Sequence, residues 1–430
     1  MHLSQATAAI HHSITRRFFL KQVGMGLTSI GSLRLLATDS PTDDTLSQLI
    51  SKLNYLTPSD EFRNVERHLP LPYKLPREKR LELGLERETW KLDVIPDPAS
   101  NSRLRKPLTK KNGTALNFKD LMKLAEKKSA RYLKVMTCNN IGNPLGMGLW
   151  EGVPLRDVLW LAQPDKNVRR VFYRGYHNEK PDQIFQSSLP LGRILEDPPG
   201  EQPVILCYKL NGKPLTGERG GPVRMIVPDA YGFKSIKWIQ QIFLTNHYQA
   251  NDTYAEQNND IDSKMKTYAR FLHCPKTVKS GEPIPITGVA QTGMSGLTKI
   301  QYWLHPADDA LPKGDRYFTT ADWQEAQILK PKKGWGGEFI PNKLPEIPHQ
   351  INADGQPKSW PLPNTITHWA TLIPPVESGR YQLRCRTIDS NGIAQPMPRP
   401  FQKSGGNAIQ MEEIEVTNSS HPNREKESVD

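Results

Sequence analysis

Thirty-seven prolines in a chain of 430 residues constrain the fold more than any other feature, since proline usually makes up about one residue in twenty. Each one lacks a backbone donor and fixes its own φ, which excludes long uninterrupted helices and unbroken central strands. The chain is therefore expected to be β-rich, with short strands and many turns. Charged residues at 24%, hydrophobic residues at 37% and aromatics at 8% exclude a wholly disordered chain, a collagen-like repeat and a disulfide miniprotein. At roughly 150 residues per domain, the length suggests two or three domains.

Residues 1–37 contain no Asp or Glu and carry Thr15-Arg16-Arg17-Phe18-Phe19-Leu20-Lys21 ahead of a mildly apolar run to Ala37. This pattern resembles a twin-arginine export signal, although Arg34 interrupts the run and no clean A-x-A cleavage site follows. The expected location is the periplasm, reached by a route that carries proteins already folded. The run is too short and too polar to span a bilayer, which takes about 20 apolar residues.

Cys138, Cys207, Cys274 and Cys385 form no C-x-x-C or C-x-x-C-H motif, so a zinc ribbon, a thioredoxin-like site and covalent haem are unsupported. Cys207 and Cys385 lie in alternating runs where buried single thiols are common, and no disulfide framework is expected. The eleven histidines show no metal-ligand spacing such as H-E-x-x-H.

Beyond the signal, residues 38–258 read as one α+β, mainly β unit. Ala115 to Ser129 places Leu116, Phe118, Leu121, Met122 and Leu124 on one helical face with Lys119, Lys123, Lys127 and Lys128 opposite, which predicts a surface helix. Tyr132 to Cys138 reads as an extended run that delivers Cys138 at a strand end or in the loop after it. Asn258 to Lys264 is polar and linker-like. Within 268–417, β-like runs at Ile284–Val289, Leu297–Leu304, Thr367–Leu372, Tyr381–Thr387 and Ala408–Val416 are separated by Gly, Pro, Asn and Asp clusters, as in an Ig-like sandwich. Residues 418–430 read as a disordered tail.

Three segments carry the chemistry: Met136-Thr137-Cys138-Asn139-Asn140 running to Trp150, Gln186 to Leu191 with Tyr208 to Gly212, and Gly220-Gly221-Pro222-Val223-Arg224 through Ser235-Ile236-Lys237-Trp238. A thiol in a Gly/Asn-rich loop after a strand suits a tunable metal ligand. The glycine-flanked Arg and Lys downstream suit an anion. Either feature alone is common in inert cores and on ordinary surfaces.

In order and spacing, these segments resemble the sulfite oxidase family of molybdenum-cofactor enzymes, over most of the chain from Leu56 to about Gln410. Leu56-Thr57-Pro58-Ser59-Asp60, His68-Leu69-Pro70-Leu71-Pro72 and the Pro222-Val223-Arg224 and Ser235-to-Trp238 stretches carry the likeness. In the second unit Gly288 to Gly293, Ser378-Gly379-Arg380-Tyr381 and Asp389 to Pro396 resemble the family's Ig-like dimerisation domain. The resemblance implies a molybdenum held by the dithiolene of a pyranopterin (molybdopterin) and by one protein thiolate, here Cys138. It also implies cofactor-binding roles for Arg67, His68, Arg219, Arg224, Ser235, Ile236 and Lys237, catalytic roles for Tyr254 and Arg67, and a homodimer formed through the Ig-like domain.

The departures concern the substrate anion. Family members that oxidise sulfite carry an Arg five residues beyond the cysteine, where this chain has Asn143. The family's Gly-Gly-Arg at the start of the second domain becomes Met294-Ser295-Gly296-Leu297, a His becomes Arg219, an Asp becomes His177, and the first-segment Arg shifts by one place to Arg67. Three functions are weighed: transfer of an oxygen atom between water and a small sulfur oxyanion, such as sulfite to sulfate; sulfoxide reduction, for instance of oxidised methionine; and a non-catalytic exported scaffold with a vestigial pocket. The sequence has no cytochrome b5-like haem segment, so a separate electron-transfer protein, a c-type cytochrome, is the expected partner. The formal charge of +12 concentrates in Glu61–Thr137, with 19 basic and 10 acidic side chains. That local excess favours an acidic partner or an anion over nucleic acid, for which no recognition motif is present.

Overall fold

A computed structural model describes residues 41–418 apart from 67–68, 141, 177–183, 200, 254, 333 and 337–349. The export signal, the tail beyond Asn418, and the expected site residues Arg67, His68, His177 and Tyr254 lie outside the described residues.

The first unit holds β1 (Lys91–Pro96), β2 (Leu116–Asn117), β3 (Ala130–Met136), β4 (Gly146–Pro154), β5 (Arg170–Gly175), β6 (Gln186–Pro190), β7 (Ile205–Leu210), β8 (Lys213–Pro214), β9 (Arg224–Ile226) and β10 (Ile239–Thr245). They form two sheets, β2-β1-β10-β5-β6 and β3-β4-β7-β8, with β9 pairing β7. Only β1 and β10 pair in parallel in the first sheet. Trp90, Leu92, Val153, Tyr173, Leu206, Val223 and Ile242 belong to the core that joins these elements. The expected helix forms as Phe118–Lys128, shorter than the periodicity suggests. Asn117 caps it by accepting the Asp120 N–H, so Leu116 ends up in a strand rather than in the first helical turn.

The second unit holds β11 (Tyr268–His273), β12 (Thr277–Lys279), β13 (Ile284–Gln291), β14 (Lys299–Pro306), β15 (Gln324–Ile328), β16 (Ile366–Ile373), β17 (Gly379–Ile388) and β18 (Gln410–Thr417). Layers β11-β13-β16 and β14-β17-β18-β12 enclose a core that includes Ile286, Ile300, Trp369, Leu383 and Cys385. Strand β15 joins them, pairing β14 through Gln324–Ala326 and β16 through Gln327–Ile328. The expected mainly β fold with a β-sandwich is thus present. All four cysteines are free thiols, with Cys207 and Cys385 buried.

The stretch expected to act as a linker is packed instead. Asn259, Asp260 and Ser263 are buried, Arg399 pairs with Asp260 at 2.5 Å, and the Tyr231 N–H bonds the Ser263 carbonyl. Its polarity satisfies a buried hydrogen-bond network and does not mark solvent exposure. A mixed core of Leu133, Val135, Met147, Tyr231, Met265, Val289 and Ile366 further locks the two units together.

Lys134 on β3 is fully buried, and its ammonium donates to the carbonyls of Val135 and Ala230 at 3.0 Å each. Burial, aided by Arg224, pulls its pKa from 10.5 to about 7. Between those two values the unfolded chain holds a proton that the folded chain has released, so this residue makes stability rise with pH across that window. Lys134→Met is expected to flatten the rise when urea unfolding is compared at about pH 6 and about pH 9.5. Equal pH slopes in the two proteins would contradict the assignment.

Candidate functional site

Strand β3 ends at Met136 and hands the chain to a short loop in which Cys138 is half-buried. Its Sγ lies within hydrogen-bond reach of Asn140 Oδ1. The loop packs tightly: a Cβ on Gly142 would fall 2.3 Å from the Arg270 guanidinium, which would have to move aside.

Cys138 opens into a cavity of about 360 Å³ that Arg219, Arg224, Ser235, Ile236 and Lys237 also line. The structure therefore brings together every expected site residue that it describes. Arg219 is buried, with its guanidinium over the Phe62 ring and 3.5 Å from Glu218. Arg224 starts β9, lies over the Trp150 ring, and donates to the carbonyls of Arg219 at 2.9 Å and Ser235 at 2.6 Å. Its buried Nε has no partner. Lys237 reaches Asn64 Oδ1, and its backbone passes so close to Gly220 that a Cβ there would meet Lys237 Cβ at 2.7 Å. Gly220 also sits at φ +93°, a region that side-chain-bearing residues rarely adopt. The Ser235 hydroxyl accepts the Val227 N–H, so Ser235 acts as a brace for the wall. Ile236 bonds back to β9 through its carbonyl.

Three cations thus share one enclosure, opposed nearby by Glu218. Burial first, then Arg224 and Arg219, pull the Lys237 pKa to about 7, and burial pulls Arg224 to about 10. A dianionic phosphate would relieve both penalties and supply the acceptor that Arg224 Nε lacks. A soft thiolate at Cys138 is a donor type suited to a transition-metal centre. The residues therefore fit a phosphate-bearing metal cofactor. Among the described residues no cluster of three or more His, Cys, Asp or Glu is placed to hold a metal ion, so the thiolate would act as a single protein ligand.

Residues not foreseen from the sequence complete the walls. Asn64 accepts from Lys237, Phe185 and Phe233 meet edge to face at 6.2 Å, and Thr253, Asn259, Ile261 and Lys403 close the remaining sides. Behind Thr253, Asp252 is paired with Lys234 at 2.6 Å. Asn143 is exposed, and neither it nor any residue of Met294-Ser295-Gly296-Leu297, the places without the expected arginines, lines the cavity.

Residues 86–253 match the family described as oxidoreductase molybdopterin binding domain. Mitochondrial sulfite oxidase of Drosophila melanogaster is 30% identical over 207 residues, covering 46% of this chain and 33% of that protein. The Homo sapiens enzyme is 26% identical over 321 residues, covering 68% and 53% respectively. The chain thus spans about half or less of the length of these curated relatives. The solved sulfane dehydrogenase SoxCD of Paracoccus pantotrophus superposes with a TM-score of 0.54 at 15% identity, over 92% of this chain and 96% of that one, a likeness of fold. The matching domain, these relatives and the residues gathered around Cys138 support a molybdopterin-binding oxidoreductase of the sulfite oxidase family.

Proposed function

We propose that the protein oxidises a small sulfur oxyanion, sulfite being the first to test, and passes the electrons to a separate carrier. The observation that carries this reading is one cavity holding both the Cys138 thiol and three cationic side chains, the buried Arg219 and Arg224 and the half-buried Lys237, with Arg224 Nε unpartnered. When bound, a molybdenum–pyranopterin centre supplies two-electron oxygen-atom transfer with water as the oxygen source. Cys138 would ligate it, while Arg219, Arg224 and Lys237 would grip its phosphate. Phe185, Phe233 and Ile261 give the enclosure apolar walls that limit water and strengthen its electrostatics. The export-like residues 1–37 support a periplasmic setting, with a c-type cytochrome as the electron acceptor.

Sulfoxide reduction is the second reading, favoured by the position of Asn143 and of Met294 to Leu297 outside the cavity lining and by those apolar walls. One comparison separates the two. Holoprotein is assayed for sulfite-dependent cytochrome c reduction and for sulfoxide-dependent oxidation of a reduced dye. Turnover in the first assay alone is expected. Turnover in the second alone would replace the sulfite reading.

A further inference from the structure

Asn143 and the Met294-Ser295-Gly296-Leu297 stretch carry no arginine, yet the cavity gains a lysine from a distant part of the chain. Lys403 lies in the loop between β17 and β18, in the second unit, and lines the cavity together with Cys138, Asn139 and Asn140. The loop is stapled in place. The Asp260 N–H donates to the Lys403 carbonyl, and the Gly405 N–H donates to the carbonyl of Asn139, each at 2.9 Å. Lys266 donates to Ser404 Oγ and to the Gly405 carbonyl, both at 3.1 Å. Gly405 sits at φ +84°, and a Cβ there would fall 2.1 Å from Tyr231 Oη, so this contact needs glycine. Asn139 follows Cys138 directly and Gly405 is two residues past Lys403, so the staple fixes Lys403 beside the thiol loop.

We propose that Lys403 is a specificity-determining residue that binds the substrate oxyanion, supplying from the second unit the charge missing at Asn143 and in the Met294-Ser295-Gly296-Leu297 stretch. This rests on the reading that the cavity accepts a small oxyanion. Arg219, Arg224 and Lys237 cluster around Gly220 and Trp238, where a cofactor phosphate would neutralise them. Lys403 comes from a different segment and reaches the cavity on the Cys138 side, where an oxyanion must approach the metal. The mixed core and the Arg399–Asp260 pair give the loop a rigid support.

The test uses molybdenum-loaded protein as wild type, Lys403→Met and Lys403→Arg, with two readouts: calorimetric titration with sulfate, and steady-state sulfite kinetics. Losing a charge-assisted contact is expected to weaken sulfate binding, and to raise the sulfite KM, by roughly ten- to a hundredfold in Lys403→Met. The fall in kcat should be much smaller, with molybdenum content and melting temperature unchanged. Lys403→Arg should recover most of the affinity. Wild-type protein that binds no sulfate, or a Lys403→Met protein whose sulfate affinity and sulfite KM stay within about twofold of wild type, would overturn the assignment. Sulfate binding that depends on Lys403 in a protein that oxidises no sulfite would leave the oxyanion site standing and remove the sulfite reading.

Discussion

Cys138→Ser is expected to lower turnover by more than about a hundredfold, because losing even a group behind a metal ligand costs about 10–100-fold. A hydroxyl matches the thiol in shape but is a harder and far less acidic donor, so the metal would lose the readily ionised, polarisable ligand the thiol supplies. The residue is half-buried in a loop and outside every described hydrophobic core, so stability should hardly change. Steady-state kinetics alongside thermal melting separate the two effects. Full activity in the serine variant would remove Cys138 from the site.

Asp252→Ala is expected to be the most destabilising single substitution near the cavity. Asp252 accepts from Lys234 Nζ at 2.6 Å and from the hydroxyls of Ser187 at 2.7 Å and Ser188 at 2.5 Å, and both members of the ion pair are almost wholly buried. Removing the carboxylate leaves an uncompensated buried ammonium, a loss of about 3–5 kcal/mol. Lys234 belongs to the 3-10 turn that leads into Ser235 and Lys237, and Thr253 follows Asp252 directly, so the same change should loosen two walls of the cavity. Replacing both partners by Lys234→Met with Asp252→Leu should recover most of the stability, since a buried pair exchanged for apolar residues is often neutral. Chemical denaturation of the single and double variants measures this. A loss below about 1 kcal/mol in Asp252→Ala would show that Lys234 finds other compensation, such as the Ser188 carbonyl it already touches at 2.8 Å.

How legible each part was in the sequence depended on whether its signal was local. Cys138 was readable because an alternating strand followed by an Asn/Gly loop is a pattern within a few residues, and it emerges two residues past β3. Arg224 and Lys237 were readable through their glycine-flanked setting and Arg219 only through the family resemblance, and a strand, a turn and a close backbone approach at Gly220 do bring them together. Strand β15 was not, because its sequence QEAQI presents mostly exposed positions with little apolar alternation. Lys403 was invisible for another reason. Nothing local distinguishes Lys403-Ser404-Gly405-Gly406 from an ordinary surface turn, and only tertiary pairing to Asn139 brings it to the site. The 258–264 stretch misled because polar residues read as solvent-exposed, whereas Asp260 here accepts from the Ser263 N–H and from Arg399 in the interior.

The most direct test of the central claim is the metal and pterin content of wild-type protein purified from a host that makes the cofactor. About one molybdenum and one pterin per folded chain is the expected result, with both reduced in Cys138→Ser. Folded protein that carries neither would contradict the assignment of the cavity to a molybdenum cofactor.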